Sequence, residues 1–213
     1  MRQRLVHPVF LAVGVVSLSV TALCTSPAAL AGDTAGGNTI MTTDGTLGAS
    51  LERIARRSSL WRQALERLRG TDRHVFVVTP DQVAVKDSID DASSDAFDPT
   101  VVAAVSPIPQ SDSQVRTVVV VVNLPLIEGI HRRRSSTAVE LHWDLDRILV
   151  HEIYGHALPY LLAGDLSGRC ADPAPGQEAS EACSIRRENA VRAELRLGRR
   201  TGYGLEDLFL ARR

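Results

Sequence analysis

Leu149-Val150-His151-Glu152-Ile153-Tyr154-Gly155-His156-Ala157 is the stretch whose reading decides the fold. Two histidines lie five residues apart, with a glutamate directly after the first. Imidazole pairs on one helix, with a carboxylate beside them, are what a hydrolytic zinc site needs: two nitrogen ligands and a base for the attacking water. The usual spacing is four, one turn along the same helical face. On a regular helix a spacing of five turns the second side chain by about 140° from the first. A π-type widening of the helix brings a spacing of five back to nearly one turn, and such widenings are frequent at functional sites. Gly155 loosens the backbone just before His156. Pro159 has no N–H for the Gly155 carbonyl and crowds it, so the ladder is disturbed at that point. The sequence therefore predicts a swollen helical turn that puts His151 and His156 on one face.

The helix bearing this stretch is expected to start near Asp144, a good N-cap residue, and to end around Gly164. Leu145, Ile148, Leu149 and Ile153 form its apolar stripe, opposite the side carrying His151, Glu152 and His156. Downstream, a helix over residues 178–197 puts Glu188, Val191, Arg192 and Leu195 on one face.

His-Glu-x-x-Gly-His resembles the zinc signature of the dipeptidyl peptidase III family of zincin-type metallopeptidases. The resemblance covers residues 149–194 and implies a third zinc ligand, a glutamate, from a downstream helix. Glu188, in Arg187-Glu188-Asn189-Ala190-Val191-Arg192-Ala193-Glu194, answers to that family's second motif. Asp165, Glu178, Glu181 and Glu194 compete with it on spacing alone. Three protein ligands and one open position mark a catalytic site rather than a structural one. Glu152 is expected as the general base acting on a metal-bound water, and Asn189 and Glu194 as candidates to orient the imidazoles, since a ligating histidine needs a partner on its other nitrogen. A donor to the developing oxyanion is also expected, with Tyr203, between Gly202 and Gly204, ahead of Tyr154 and Arg192. The chain is much shorter than that family's full architecture. The expected fold is α+β: a small zincin-like domain with a mixed sheet packed on the zinc-bearing helix.

Residues 1–31 read as a secretory signal peptide, with Arg2 and Arg4 ahead of an apolar run over residues 9–24 and Ala29-Leu30-Ala31 as cleavage site. That run is shorter than a membrane span requires, so no stable span is expected after cleavage and the destination is secreted or periplasmic. Residues 32–45 read as a flexible leader and 46–213 as the metallopeptidase domain. The net charge of −1 gives no support to nucleic-acid binding. Cys170 and Cys183, an even pair in an exported chain, are expected to form a disulfide.

Residues 47–69 read as one amphipathic helix stopped by Gly70. Residues 74–79 and 82–86 suggest a hairpin turning at Pro80-Asp81, and residues 101–105 a strand ended by Pro107 and Pro109. The Asp-rich stretch 87–99 reads as a solvated loop, as does the basic stretch 131–136. The valine run 116–123 is the strongest strand, core or substrate-lining edge. The function these features predict is an exported Zn2+-dependent peptidase acting on a peptide or protein substrate. The rivals are a non-catalytic metal-binding scaffold and a hydrolase of cell-wall amides.

Overall fold

The computed structural model describes residues 39–82, 99–109, 115–134, 137–163 and 179–202. The expected signal peptide, the acidic loop over residues 87–98, Asp165, Cys170, Glu178 and Tyr203 lie outside the described residues. Within them the chain forms a mixed α and β domain. Its elements are β1 (Ile40–Met41), α1 (Gly45–Arg57), α2 (Ser59–Leu68), β2 (His74–Val78), a 3-10 turn (Pro80–Gln82), β3 (Ala103–Pro109), β4 (Val115–Val122), α3 (Leu124–Arg133), α4 (Ala138–Leu149), a π-helical segment (Val150–Ala157), α5 (Leu158–Ala163) and α6 (Ala179–Leu195).

The sheet has the order β1-β2-β4-β3. β1 and β4 flank β2 in parallel, and β3 runs antiparallel to β4. β4 is thus an interior strand, which settles the choice between core and edge. Its residues Val118, Val119, Val120, Val121 and Val122 are all buried, as expected of a continuous valine run covered on both faces. β3 and β4 both pack on the π-helical segment, and α5 also reaches β4. One hydrophobic cluster joins sheet and helices, from Leu47, Ile54 and Trp61 through Val75, Val118 and Val120 to Leu149, Ile153, Val191 and Leu195.

The helix expected over residues 47–69 is two helices, because Ser58 leaves the ladder with φ −113° and ψ 120°. Its side chain accepts from the Trp61 N–H at 3.0 Å and donates to Glu194. The apolar spacing continues through the break, which is why periodicity alone reads a single helix. β2 takes β1 and β4 as parallel neighbours, and Pro80–Gln82, expected as a hairpin turn, is a 3-10 turn; residues 83–86 of the expected second arm lie outside the described residues. The leader contributes Ile40 and Met41 to the sheet as β1. β3 runs on through Pro107 and Pro109, where its only described partner is β4. An edge strand tolerates residues that cannot donate on its outer side.

Pro125 does not merely close β4; it lies in the first turn of α3, which is capped by Asn123 and runs on to Arg133, taking up half of the basic stretch. Asp144 does not cap the active helix. That place belongs to Thr137, in a capping box with Glu140. Asp144 is instead buried in mid-helix, ion-paired with Arg147 and 2.9 Å from His131 Nε2. Burial raises its carboxyl pKa, against the lowering effect of Arg147 and His131.

Among the described residues no helix is long and apolar enough to cross a membrane. Cys183 is fully buried in α6 and disulfide-bonded; its expected partner, Cys170, is not among the described residues. Ser58→Ala should remove both the α2 cap and the link to Glu194, costing about 1–2 kcal/mol of stability in denaturant unfolding. A variant as stable as the wild type would show that the break does not depend on this side chain.

Candidate metal centre

The five-residue spacing is accommodated as the sequence predicts: residues Val150–Ala157 are π-helical. The His151 and His156 rings meet edge to face, with centroids 4.9 Å apart and planes at 89°. One ligand atom from each of His151, Glu152 and His156 can be chosen so that all lie within 4.8 Å of one another. Both histidines are buried, whereas Glu152 is half-buried.

The widened turn is supported from two sides. α6 packs so tightly on it that a Cβ at Gly155 would lie 2.7 Å from the Ser184 Cβ and 3.2 Å from its Cα. Only glycine allows that approach. Arg187 Nη1 donates to the Gly155 carbonyl at 3.1 Å, so a donor from α6 serves the carbonyl that Pro159 cannot. On another side Tyr154 stacks on Trp61 of α2, with centroids 6.4 Å apart and planes at 20°. The apolar faces of Val150, Ile153 and Ala157 are fully buried.

Glu188 is fully buried, as are Arg192 and Arg200 to within 1 %. Its Oε2 lies 3.1 Å from His151 Nδ1 and 3.3 Å from Arg200 Nη1. Its Oε1 accepts from Arg192. Burial pushes the Glu188 carboxyl up, but the hydrogen bond and charge of His151, with the charges of Arg200 and Arg192, outweigh it and hold the pKa at about 2. Asn189 fixes the chain around Arg200: its Oδ1 accepts from the Arg200 N–H at 2.8 Å and its Nδ2 donates to the Arg200 carbonyl at 2.9 Å.

These contacts change how the expected site residues are arranged. His151, Glu152 and His156 come together. Glu188, expected as third ligand, reaches His151 at Nδ1 and lies outside the group of three. The physical reason is that two buried guanidinium groups draw its oxygens toward themselves. Glu194 is removed from any role beside the imidazoles, since it accepts from Ser58, Ser59 and the Leu60 N–H at the start of α2. Asn189 acts on Arg200 rather than on a histidine. Of the alternative oxyanion donors, Tyr154 is stacked on Trp61 and Arg192 is committed to Glu188. Arg200 escaped the sequence reading altogether: it lies in an irregular segment twelve residues after Glu188, with no periodicity to mark it.

No protein-family model, curated protein or solved structure matches this chain.

The donor set suits a borderline-soft divalent ion such as zinc, for which two imidazoles and carboxylate oxygen are ordinary partners. Gly155→Ala should break the close approach of α6 and lower stability by about 1–3 kcal/mol, the usual cost of overpacking. Adding Ser184→Gly should recover part of that loss, as read from unfolding midpoints. Equal stability of Gly155→Ala and wild type would mean that the contact is not tight.

Proposed function

We propose that this chain is an exported, zinc-dependent metallopeptidase with a zincin-like arrangement of sheet and helix. The observation that carries the reading is the π-helical turn that gathers His151, Glu152 and His156 within ligand range of one another. His151 and His156 would hold the metal. Bound there, zinc would supply a Lewis acid for the scissile carbonyl and lower the pKa of a water toward about 7. Glu152, half-buried where the histidines are dry, takes the proton from the attacking water and passes it to the leaving amine. Export rests on the signal-peptide pattern of residues 1–31.

A catalytic zinc site has three protein ligands and an open position. α6 runs antiparallel to the π-helical segment, since Glu188 meets His151 and Ser184 meets Gly155. α6 is therefore the element that presents acidic residues to this centre, with Glu188 on its buried face.

Metal analysis of the purified chain and cleavage of a mixed peptide library test the assignment. The wild type should carry one zinc ion and cut peptides, and His156→Ala should lose the zinc. Glu152→Gln should keep the zinc while turnover falls by about 10²–10⁴-fold, the usual contribution of a positioned base. Full activity in Glu152→Gln, or a wild type without zinc affinity, would overturn the reading.

A further inference from the structure

We propose that Glu188 is the positioning residue of this centre: from the buried face of α6 it holds the His151 ring in the tautomer that carries its proton on Nδ1 and leaves Nε2 as the lone-pair donor. The inference rests on the reading of His151 as a metal ligand for its purpose, but its geometry stands without a metal.

A neutral imidazole has one N–H and one lone pair, and the partner of one nitrogen decides the role of the other. An ionised carboxylate can only accept. Glu188 is kept in that form by two guanidinium groups, Arg192 on Oε1 and Arg200 on Oε2. The nitrogen facing it, His151 Nδ1 at 3.1 Å, therefore carries the hydrogen. Orientation follows from the same contacts, because every member of the clamp is itself tied down. Arg192 Nε donates to the Gly198 carbonyl at 2.7 Å and Arg200 Nε to the Gly202 carbonyl at 2.9 Å. Asn189 holds the Arg200 backbone from both sides.

The same arrangement argues against Glu188 as a ligand. A divalent cation on its oxygens would sit beside two buried positive charges with little water to screen them. Oε2 already serves two donors, and Oε1 is turned to Arg192. A carboxylate placed in this way acts on a metal through the histidine, fixing the ring and raising the basicity of the ligating nitrogen.

The test uses the full chain without metal, labelled with ¹⁵N, at pH 8. Long-range proton–nitrogen correlation assigns the tautomer of His151, with His151→Gln identifying its signals. The wild type should show a protonated Nδ1 and an unprotonated Nε2. Glu188→Gln should relax that preference and weaken zinc binding by about 10–100-fold while still taking one ion per chain. Glu188→Asp should restore part of both. A wild type protonated on Nε2 would overturn the proposal, as would a Glu188→Gln variant that matches the wild type in tautomer and affinity. Loss of all zinc binding in a folded Glu188→Gln chain would do so too, because it marks a ligand. Should the Gln variant not fold, the wild-type tautomer decides alone. A wild type with the expected tautomer and no zinc affinity would uphold the role of Glu188 and sink the peptidase reading.

Discussion

The close approach of α6 to the π-helical turn is the constraint on which the rest of the molecule depends. A widened turn has poorer hydrogen-bond geometry than the α-helix on either side of it, so it persists only where neighbours hold it. Ser184 presses against Gly155 at a distance no Cβ would permit, Arg187 reaches the Gly155 carbonyl, and Trp61 stacks on Tyr154. Val150, Ile153 and Ala157 add apolar burial on the side away from the site, each contributing through area removed from water. The turn is held from several directions at once, and the facing imidazoles are the consequence.

The second layer of the architecture is ionic. Glu188 with Arg192 and Arg200 on one side, and Asp144 with Arg147 on the other, form a buried polar stratum where an all-apolar core would be the simpler solution. Arg53 adds a third pair, gripping Asp146 through both oxygens and tying α1 to α4. Burying ions is costly, and such pairs are weak contributors to net stability, although removing one partner is strongly destabilising. Their use here is positional. Arg192 and Glu188 are one turn apart on α6, so the pair stiffens that helix, while His151 and Arg200 join it to the π-helical segment and to the chain beyond Gly198. Sliding α6 by one residue would leave buried charges without partners, which sets its register against the histidines.

Much of this was legible where a local rule governs. The five-residue histidine spacing, with Gly155 and Pro159 beside it, requires a widened turn, and the structure has one. The face of Glu188, Val191, Arg192 and Leu195 is buried as its period implies. What could not be read is what distant residues decide. Ser58 breaks a helix that periodicity continues, because Glu194, far along the chain, accepts its hydroxyl proton. Asp144 has the chemistry of a cap, but Arg147 and His131 keep it inside the helix. The valine run cannot announce its neighbours, so parallel pairing of β2 with β4 was hidden behind an attractive hairpin turn. Glu188 is the clearest case: its place on α6 was readable, its partners were not, since Arg200 enters from an irregular segment with no pattern of its own.

Burial at the candidate centre differs between its imidazoles and its carboxylate. Imidazoles that serve as metal ligands benefit from a dry setting, where each electrostatic interaction is stronger and the ring is held in one orientation. A carboxylate that exchanges a proton with water must remain in reach of it. His151 and His156 are buried and Glu152 is only half so, although Glu152 adjoins His151 in sequence. A regular helix would keep His151 and Glu152 about 100° apart and turn His156 to another side. The widened turn brings His156 back beside His151 while leaving Glu152 at the wetter margin. A single local departure from α-helical geometry therefore produces both the facing imidazole pair and the half-buried carboxylate beside it, and a helix with the ordinary pitch could not do so from this sequence.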